Sequence, residues 1–184
     1  MRMRKLVPYA LFLGLLLIGG LTAGSILSRG ATATSPLSSA TVGVLAHPAQ
    51  ATDVLPSSVL ELPSARQYDL QGVRLSQEVD GRKLFVVPSK DGLLCLVVSS
   101  AAESMSNCGA PKLLENSALY LEQPSDNGTM HVWGVVGDEV TTVEGARVID
   151  NTFAYQGEAT PQLHISSGSE SRVLDLGSLD PPTP

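Results

Sequence analysis

The feature that most constrains this chain is an apolar run near its N-terminus, which contains no charged residue from Leu6 to Leu27. As a helix rising about 1.5 Å per residue, this run would be about 33 Å long, enough to cross a hydrocarbon core about 30 Å thick. Basic side chains precede it at Arg2, Arg4 and Lys5, and no basic cluster follows. The positive-inside rule then places residues 1–5 in the cytoplasm and the later chain outside. We therefore expect residues 6–27 to be the transmembrane signal anchor of a single-pass cell-membrane protein.

A cleaved signal peptide is the alternative explanation of this segment. Ala31-Thr32-Ala33 fits the small-residue pattern of a cleavage site, and cleavage near Ala33 would release the later chain by secretion. Against it, the apolar run exceeds the ~7–15 residues usual for a signal-peptide core. No Cys directly follows the run, which excludes a lipoprotein anchor. Both explanations place the later residues outside the cytoplasm.

Charge is distributed unevenly along the sequence. Four of the 12 basic residues flank the apolar run, which leaves 8 basic against 18 acidic residues in the remainder. An acidic excess of this kind repels nucleic acid and anionic lipid headgroups. We therefore expect no nucleic-acid partner, and the simplest role of the charge is solubility.

The chain after the apolar run divides into a linker, a domain and a tail. Residues 28–51 are mostly Ala, Ser, Thr and Pro with almost no charge, which is typical of a flexible tether. Residues 52–177 are predicted to form one extracytoplasmic domain, and residues 178–184 a disordered tail. The domain is expected to open with a short helix over Asp53–Leu62, because the apolar residues there approximate a helical stripe and two prolines limit its length.

From Gly72 onward apolar and polar residues alternate, which predicts β-strands. Asp80-Gly81 separates two such runs and predicts a tight hairpin, because Gly accepts the positive φ of a primed turn. The run from Leu93 to Val98 is apolar throughout and predicts a central strand covered on both faces. The other predicted strands cover residues 118–123, 129–136, 140–143, 147–149, 152–155, 163–166 and 172–176. This pattern predicts a mainly β fold, either a small antiparallel β-sandwich or an open barrel.

Cys95 and Cys108 are the only cysteines. Cys95 falls in the most apolar predicted strand, and Cys108 is expected in the loop after it. In an oxidising compartment such a pair favours a disulfide that fastens the loop to the sheet. The spacing is not that of a redox C-x-x-C motif, and two Cys without a nearby His do not form a zinc site.

Few residues are candidates for a functional site. His131 and Trp133 are two residues apart on a predicted strand and therefore share one face, which is either a possible binding face or a half-buried sheet face. Asp138-Glu139, Asp126-Asn127 and Asp150-Asn151 lie at predicted turns and raise a calcium hypothesis, although none follows a calcium-loop spacing and Asp and Asn favour turns in any case. No catalytic, nucleotide-binding or cofactor motif is present, so we assign no catalytic residue, metal ligand or cofactor.

Three stretches of the sequence are distinctive: Val86 to Val97 with Cys108-Gly109 after it, Gly134 to Val143, and Val148 to Phe153. They resemble a loose group of uncharacterised membrane-anchored envelope proteins of actinobacteria. The resemblance covers roughly residues 65–155, and Gly137 stands where the group often has Pro. It implies an envelope location, a disulfide and a β fold, and it transfers no catalytic residue.

These observations leave two classes of function open. The first is a non-enzymatic module that binds or scaffolds another envelope protein. The second is an enzyme, a cell-envelope hydrolase, with a small-ligand sensor domain as a further alternative. Two convergent carboxylates in a cleft, or a Ser–His contact, would favour the enzyme. An exposed apolar patch or an unpaired sheet edge would favour the binding module.

Overall fold

The computed structural model describes residues 42–115, 117–125, 127–158 and 162–175, except for the side chains of residues 174 and 175. The predicted transmembrane span, the tether as far as residue 41 and the tail 178–184 lie outside these residues. Within the described ranges, no helix is long and apolar enough to cross a membrane.

The described chain begins with a short 3-10 helix, Gly43–Ala46, instead of an extended tether. Val42, Val44 and Leu45 are at most 3% exposed and pack in the protein core. These residues of the predicted tether 28–51 are thus part of the packed domain. Three large apolar residues close together stabilise the fold by burial, even within a sequence otherwise typical of a linker.

A single helical turn, α1 (Ser57–Leu60), and a 3-10 helix, Pro63–Gln67, follow. The predicted helix over Asp53–Leu62 is therefore correct in place and too long. Pro56 precedes α1 as its N-cap, and Pro63 begins the next turn, so the two prolines confine the α-helix to the residues between them. We call residues 53–73, which contain both turns, the cover segment.

Four antiparallel strands form the first sheet in the order β1-β2-β3-β4. They are β1 (Arg74–Val79), β2 (Arg82–Pro88), β3 (Leu94–Ser99) and β4 (Ser104–Gly109). The hairpin predicted at Asp80-Gly81 is confirmed, with φ of 50° and 70° at these two residues. Positive φ at both central positions defines the primed turn that suits the right-handed twist of the strands.

Among the described residues, seven strands follow the 3-10 helix Pro111–Glu115. They are β5 (Leu119–Pro124), β6 (Thr129–Val135), β7 (Thr142–Val143), β8 (Ala146–Arg147), β9 (Thr152–Glu158), β10 (Gln162–Ser167) and β11 (Glu170–Asp175). The second sheet has the order β5-β6-β9 and the third β11-β10-β7-β8. The predicted β5–β6 and β10–β11 hairpins are confirmed by their antiparallel pairing.

Three apolar clusters hold these layers together. The inner core joins the first and second sheets and includes Leu84, Val86, Leu96, Trp133 and Val135. The cover core joins the other face of the first sheet to the cover segment and includes Leu55, Val59, Tyr68, Phe85 and Val97. The outer core joins the second and third sheets and includes Val132, Val143, Phe153, Leu163 and Ile165. Every residue of β3 is buried, which confirms the prediction of a central strand covered on both faces.

The chain is therefore mainly β, with antiparallel sheets and one disulfide, Cys95–Cys108. The predicted position of Cys108 in a loop is wrong, because Cys108 lies in β4 directly opposite Cys95 in β3. The sequence of β4, Ser-Met-Ser-Asn-Cys-Gly, lacks alternation and β-branched residues. Its strand conformation comes from pairing with β3, a tertiary effect that local pattern does not contain.

Candidate functional site

The disulfide joins two neighbouring strands, and its Cα atoms are 4.0 Å apart. Cys95 is fully buried in the cover core, with Cys108 packed against that core at its edge. The bridge therefore stabilises the first sheet beneath the cover segment, and no free cysteine remains among the described residues.

His131 and Trp133 do share one face of β6, and their rings stack 5.6 Å apart with an interplanar angle of 10°. Trp133, however, is only 2% exposed and belongs to the inner core. The guanidinium of Arg82 lies over its ring, with Cζ 4.7 Å from the ring centre. Little of the indole is left to stack on a ligand, so the packing role of Trp133 outweighs a binding role.

Arg82 is the centre of a polar network at this point. One guanidinium nitrogen donates to Glu103 Oε1 at 2.9 Å, and the other donates to Gln123 Oε1 at 2.9 Å. Gln123 Nε2 also donates to Glu103 Oε1, at 2.8 Å. The hydrogen bonds from Gln123 and Arg82 lower the pKa of Glu103 below its usual value. A carboxylate held ionised in this way is a poor general acid near neutral pH.

Two of the residues behind the calcium hypothesis, Asp138 and Asn151, accept hydrogen bonds from neighbouring N–H groups of the protein. Asp138 Oδ1 accepts hydrogen bonds from the backbone N–H of Gly43 at 2.6 Å and from Asn151 Nδ2 at 2.7 Å. Asn151 Oδ1 accepts from the N–H of Val44 at 3.0 Å. These oxygens therefore accept hydrogen bonds from the protein itself. We call the side chains of Asp138 and Asn151, together with the N–H groups of Gly43 and Val44, the clasp. Within the described ranges, no group of three or more His, Cys, Asp or Glu side chains is placed to hold a metal ion; Asp126 lies outside those ranges.

The hydroxyls of Ser64 and Ser76 form structural bridges between elements. Ser64 Oγ is 2.8 Å from Tyr68 Oη and 2.7 Å from Ser106 Oγ, which fastens the cover segment to β4. Ser76 Oγ donates to a carbonyl of the turn before β9 and lies 2.7 Å from Thr152 Oγ1, which ties the first sheet to the second. These hydroxyls bond to other hydroxyls and to carbonyls, which is the pattern of packing contacts and not that of an activated nucleophile.

Glu122 is the one described side chain with a buried polar atom that lacks a hydrogen-bond partner, its Oε1. It lies on β5 opposite Val132. Burial raises the pKa of this carboxyl above its usual value. The group is therefore titratable in an apolar setting, but no second carboxylate within the described ranges is seen paired with it.

Three of the exposed large apolar residues among those described lie on the cover segment. Val54, Leu60 and Leu70 are 71%, 49% and 56% exposed. They surround an open cleft of about 140 Å³, which we call the apolar cleft, lined by Asp53, Val54, Leu55, Leu60, Leu70 and Val73. The buried residues of this segment, which include Leu55, Val59 and Tyr68, pack in the cover core against the first sheet. The same few turns therefore fill the cover core with one set of residues and expose a second set.

A second hollow of about 380 Å³ lies beside the 3-10 helix Pro111–Glu115. It is lined by Ala110, Lys112, Leu113 and Ser117, and Leu113 is 50% exposed. Its charged lining residue is basic, whereas that of the apolar cleft is the acidic Asp53.

Sequence patterns predicted the disulfide partners and placed His131 and Trp133 on one face, but they gave no sign of the Arg82 network or of the apolar cleft. The network joins residues from β2, β5 and the turn before β4, which are distant in sequence. Three of the cleft residues, Val54, Leu55 and Leu60, belong to the predicted helical stripe over Asp53–Leu62, in which the buried and the exposed positions look alike.

These features define a class of protein, a mainly β, disulfide-bonded domain with an apolar cleft on its cover segment. The chain matches no protein-family model, no curated protein and no solved structure. Its function is therefore argued from its own residues.

Proposed function

We propose that this chain is a membrane-anchored, extracytoplasmic module of the cell envelope that binds another protein and catalyses no reaction itself. The observation that carries this proposal is the exposed apolar surface formed by Val54, Leu60 and Leu70 around the apolar cleft. Contiguous exposed apolar surface on a soluble domain is typical of an interaction site. Scattered single apolar residues would not support the same conclusion.

The polar groups of the described domain support binding over catalysis. Glu103 is held ionised by two hydrogen-bond donors, and the Asp138 carboxylate is bonded to a backbone N–H and an amide. Trp133 is covered by Arg82. Hydrolytic sites need a nucleophile or water beside a base with a matched pKa, and these groups are already committed to structural partners.

The location rests on sequence features and on compatibility with the disulfide. The basic residues before an uncharged apolar run support an N-in, C-out orientation. A Cys95–Cys108 bridge is stable in an oxidising compartment, which an extracytoplasmic domain would occupy. The resemblance to actinobacterial envelope proteins adds support to the same location.

The binding proposal is tested by photo-crosslinking in living cells. A photoreactive amino acid replaces Val54 in one strain and Val173 in another. Both residues are exposed and apolar, at 71% and 48%, but Val173 lies on β11 outside the apolar cleft. We expect a discrete crosslinked protein from position 54 that is absent from position 173. Equal, diffuse labelling from both positions, or none at position 54, would show that the cleft binds no protein.

The location is tested by fusing alkaline phosphatase, and separately a reporter that fluoresces only in the cytoplasm, to the C-terminus. An extracytoplasmic C-terminus predicts an active phosphatase and a dark fluorescent reporter. A bright reporter with an inactive phosphatase would overturn the proposed orientation.

A further inference from the structure

We propose that the apolar cleft receives one large aliphatic or aromatic side chain from a partner segment in which Lys or Arg residues flank that side chain. This inference rests on the proposed protein-binding function and specifies the chemistry of the partner. The size of the cleft, the charges around it and the rigidity of its acidic wall each point to this chemistry.

The size of the cleft limits the anchor to one side chain. Its volume is about 140 Å³. A protein cavity of about 150 Å³ lined by aliphatic and aromatic side chains is large enough to bind benzene. A single Phe, Leu or Ile therefore fills the cleft, whereas Ala leaves most of it empty. Anchors of this kind, seated in a desolvated hollow, carry much of the affinity of protein interfaces.

Among the residues that line the cleft or directly adjoin a lining residue in sequence, three are acidic and one is basic. Asp53 lines it, Glu61 follows the lining residue Leu60, and Asp69 precedes the lining residue Leu70. The basic residue of this set is Arg74, which follows the lining residue Val73 and whose guanidinium donates to three backbone carbonyls. Rim charges of one sign select partners of the opposite sign and accelerate their association. The flanks of the partner segment are therefore basic.

Asp53 holds its negative charge in a fixed position. Its Oδ1 accepts from the backbone N–H of Leu75 at 2.8 Å, and its Oδ2 accepts from that of Gln50 at 2.7 Å. The carboxylate is thus anchored to the first residues of the first sheet before any partner arrives. A preorganised charge avoids the entropy cost of ordering a mobile side chain on binding.

A second copy of the same chain is a poorer occupant. Two copies meeting at this face would bring Asp53, Glu61 and Asp69 of one against the same residues of the other, because a two-fold interface is self-complementary. Like charges placed together at an interface oppose association. The acidic excess of the chain after its N-terminal region, 18 acidic against 8 basic residues, adds to this repulsion.

The test uses the full-length chain and three short fluorescent peptides. The first has a central Phe between two pairs of Lys, the second has Ala in place of Phe, and the third has Phe between two pairs of Glu. Binding is measured by fluorescence anisotropy at low and high salt, for the wild type and for the variants Leu70→Ser and Leu113→Ser. Leu113 is the matched control, because it is a Leu of similar exposure beside the basic Lys112. Both positions are exposed, so thermal unfolding should be unchanged in each variant.

We expect the Lys-flanked Phe peptide to bind at least tenfold more tightly than either of the others. Leu70→Ser should remove this advantage, and Leu113→Ser should leave it intact. Added salt should narrow the difference between Lys and Glu flanks only, because screening weakens charge pairing and not burial. If the Phe and Ala peptides bind with equal affinity, the cleft does not receive an apolar anchor. If the Lys-flanked and Glu-flanked peptides bind with equal affinity, the partner segment is not selected for basic flanks. If Leu70→Ser binds the Lys-flanked Phe peptide as tightly as the wild type does, the binding site is not the apolar cleft.

These outcomes are separable from a failure of the proposed function. If position 54 crosslinks a cellular protein while the three peptides bind equally or not at all, the module binds a partner of another chemistry and this inference alone is wrong. If the crosslink is also absent, the binding function fails with it.

Discussion

Opening the Cys95–Cys108 bridge should destabilise the domain by about 3 kcal/mol. The two residues are 13 positions apart in sequence, and the chain-entropy relation for a loop of this length gives that value near room temperature. For a domain of this size, each 1 kcal/mol lowers the melting temperature by about 3–4 °C, so reduction should lower it by about 10 °C. The strand pairing of β3 with β4 does not remove this effect, because the bridge acts mainly on the unfolded chain.

The assay is urea unfolding of the wild type, with and without a reductant, and of the double variant Cys95→Ala/Cys108→Ala. The reduced wild type keeps both sulfur atoms and so measures the bridge alone. The double variant also loses the packing of Cys95, which is fully buried, and should be less stable than the reduced wild type. The reduced chain should also show a steeper urea dependence, since its unfolded state exposes more surface.

The single serine variants test whether the two half-cystines have different environments. Both variants lose the bridge, but Cys95→Ser also buries a hydroxyl in the cover core and should be the less stable by about 1–3 kcal/mol. The reasoning is refuted if reducing the disulfide lowers the free energy of unfolding by less than about 1 kcal/mol. It is also refuted if the two serine variants are equally stable.

Three other perturbations have defined outcomes. Burial raises the pKa of Glu122, so the folded state holds its proton more tightly and stability should fall as pH rises above about 4.5. Glu122→Gln should flatten this dependence and raise the free energy of unfolding at pH 7, as measured by urea unfolding across pH; an unchanged pH profile would contradict this. In Gly134→Ala the new Cβ would lie 2.2 Å from Phe153 Cε1, so thermal unfolding should show that the free energy of unfolding falls by about 1–3 kcal/mol. Adding Phe153→Leu should recover most of this stability, and no recovery would exclude the clash as the cause. Asn151→Asp places a carboxylate against Asp138 and should lower the free energy of unfolding, measured with urea, by about 2 kcal/mol. Adding Asp138→Asn should restore part of this stability. If Asn151→Asp is as stable as the wild type, the clasp contributes nothing to stability.

Local chemistry was enough to predict most strands of the fold. At Asp80-Gly81 the turn residues and the alternation on both sides point to the same hairpin, and the structure has it. The uninterrupted apolar run at Leu93–Val98 likewise predicted a strand covered on two sides. In both cases the determinant is contained within about ten residues, which is the range over which sequence patterns are informative.

The features that the sequence did not reveal depend on distant partners. Strand β4 is polar and forms because β3 offers it an edge. Val42 and Val44 lie in a linker-like sequence but reach the inner core, where the clasp also binds the N–H of Val44. The calcium hypothesis for Asp138 and Asn151 arose from turn-forming residues whose oxygens bind backbone and amide donors instead. A pattern of residue types cannot show which donor will be close in space.

In the cover segment, residues that contribute to stability alternate with exposed residues that form the proposed binding surface. Leu55 is 6% exposed and Val59 0%, and both bury the face of the first sheet that carries the disulfide. Their neighbours Val54 and Leu60 are 71% and 49% exposed and add nothing to that core. Polar substitution of Val54 or Leu60 should therefore leave folding almost unchanged, since the side chains are already hydrated. The exposed apolar side chains of Val54 and Leu60 therefore stabilise the domain little and increase its tendency to associate. This combination is expected if the surface binds a partner, as we propose.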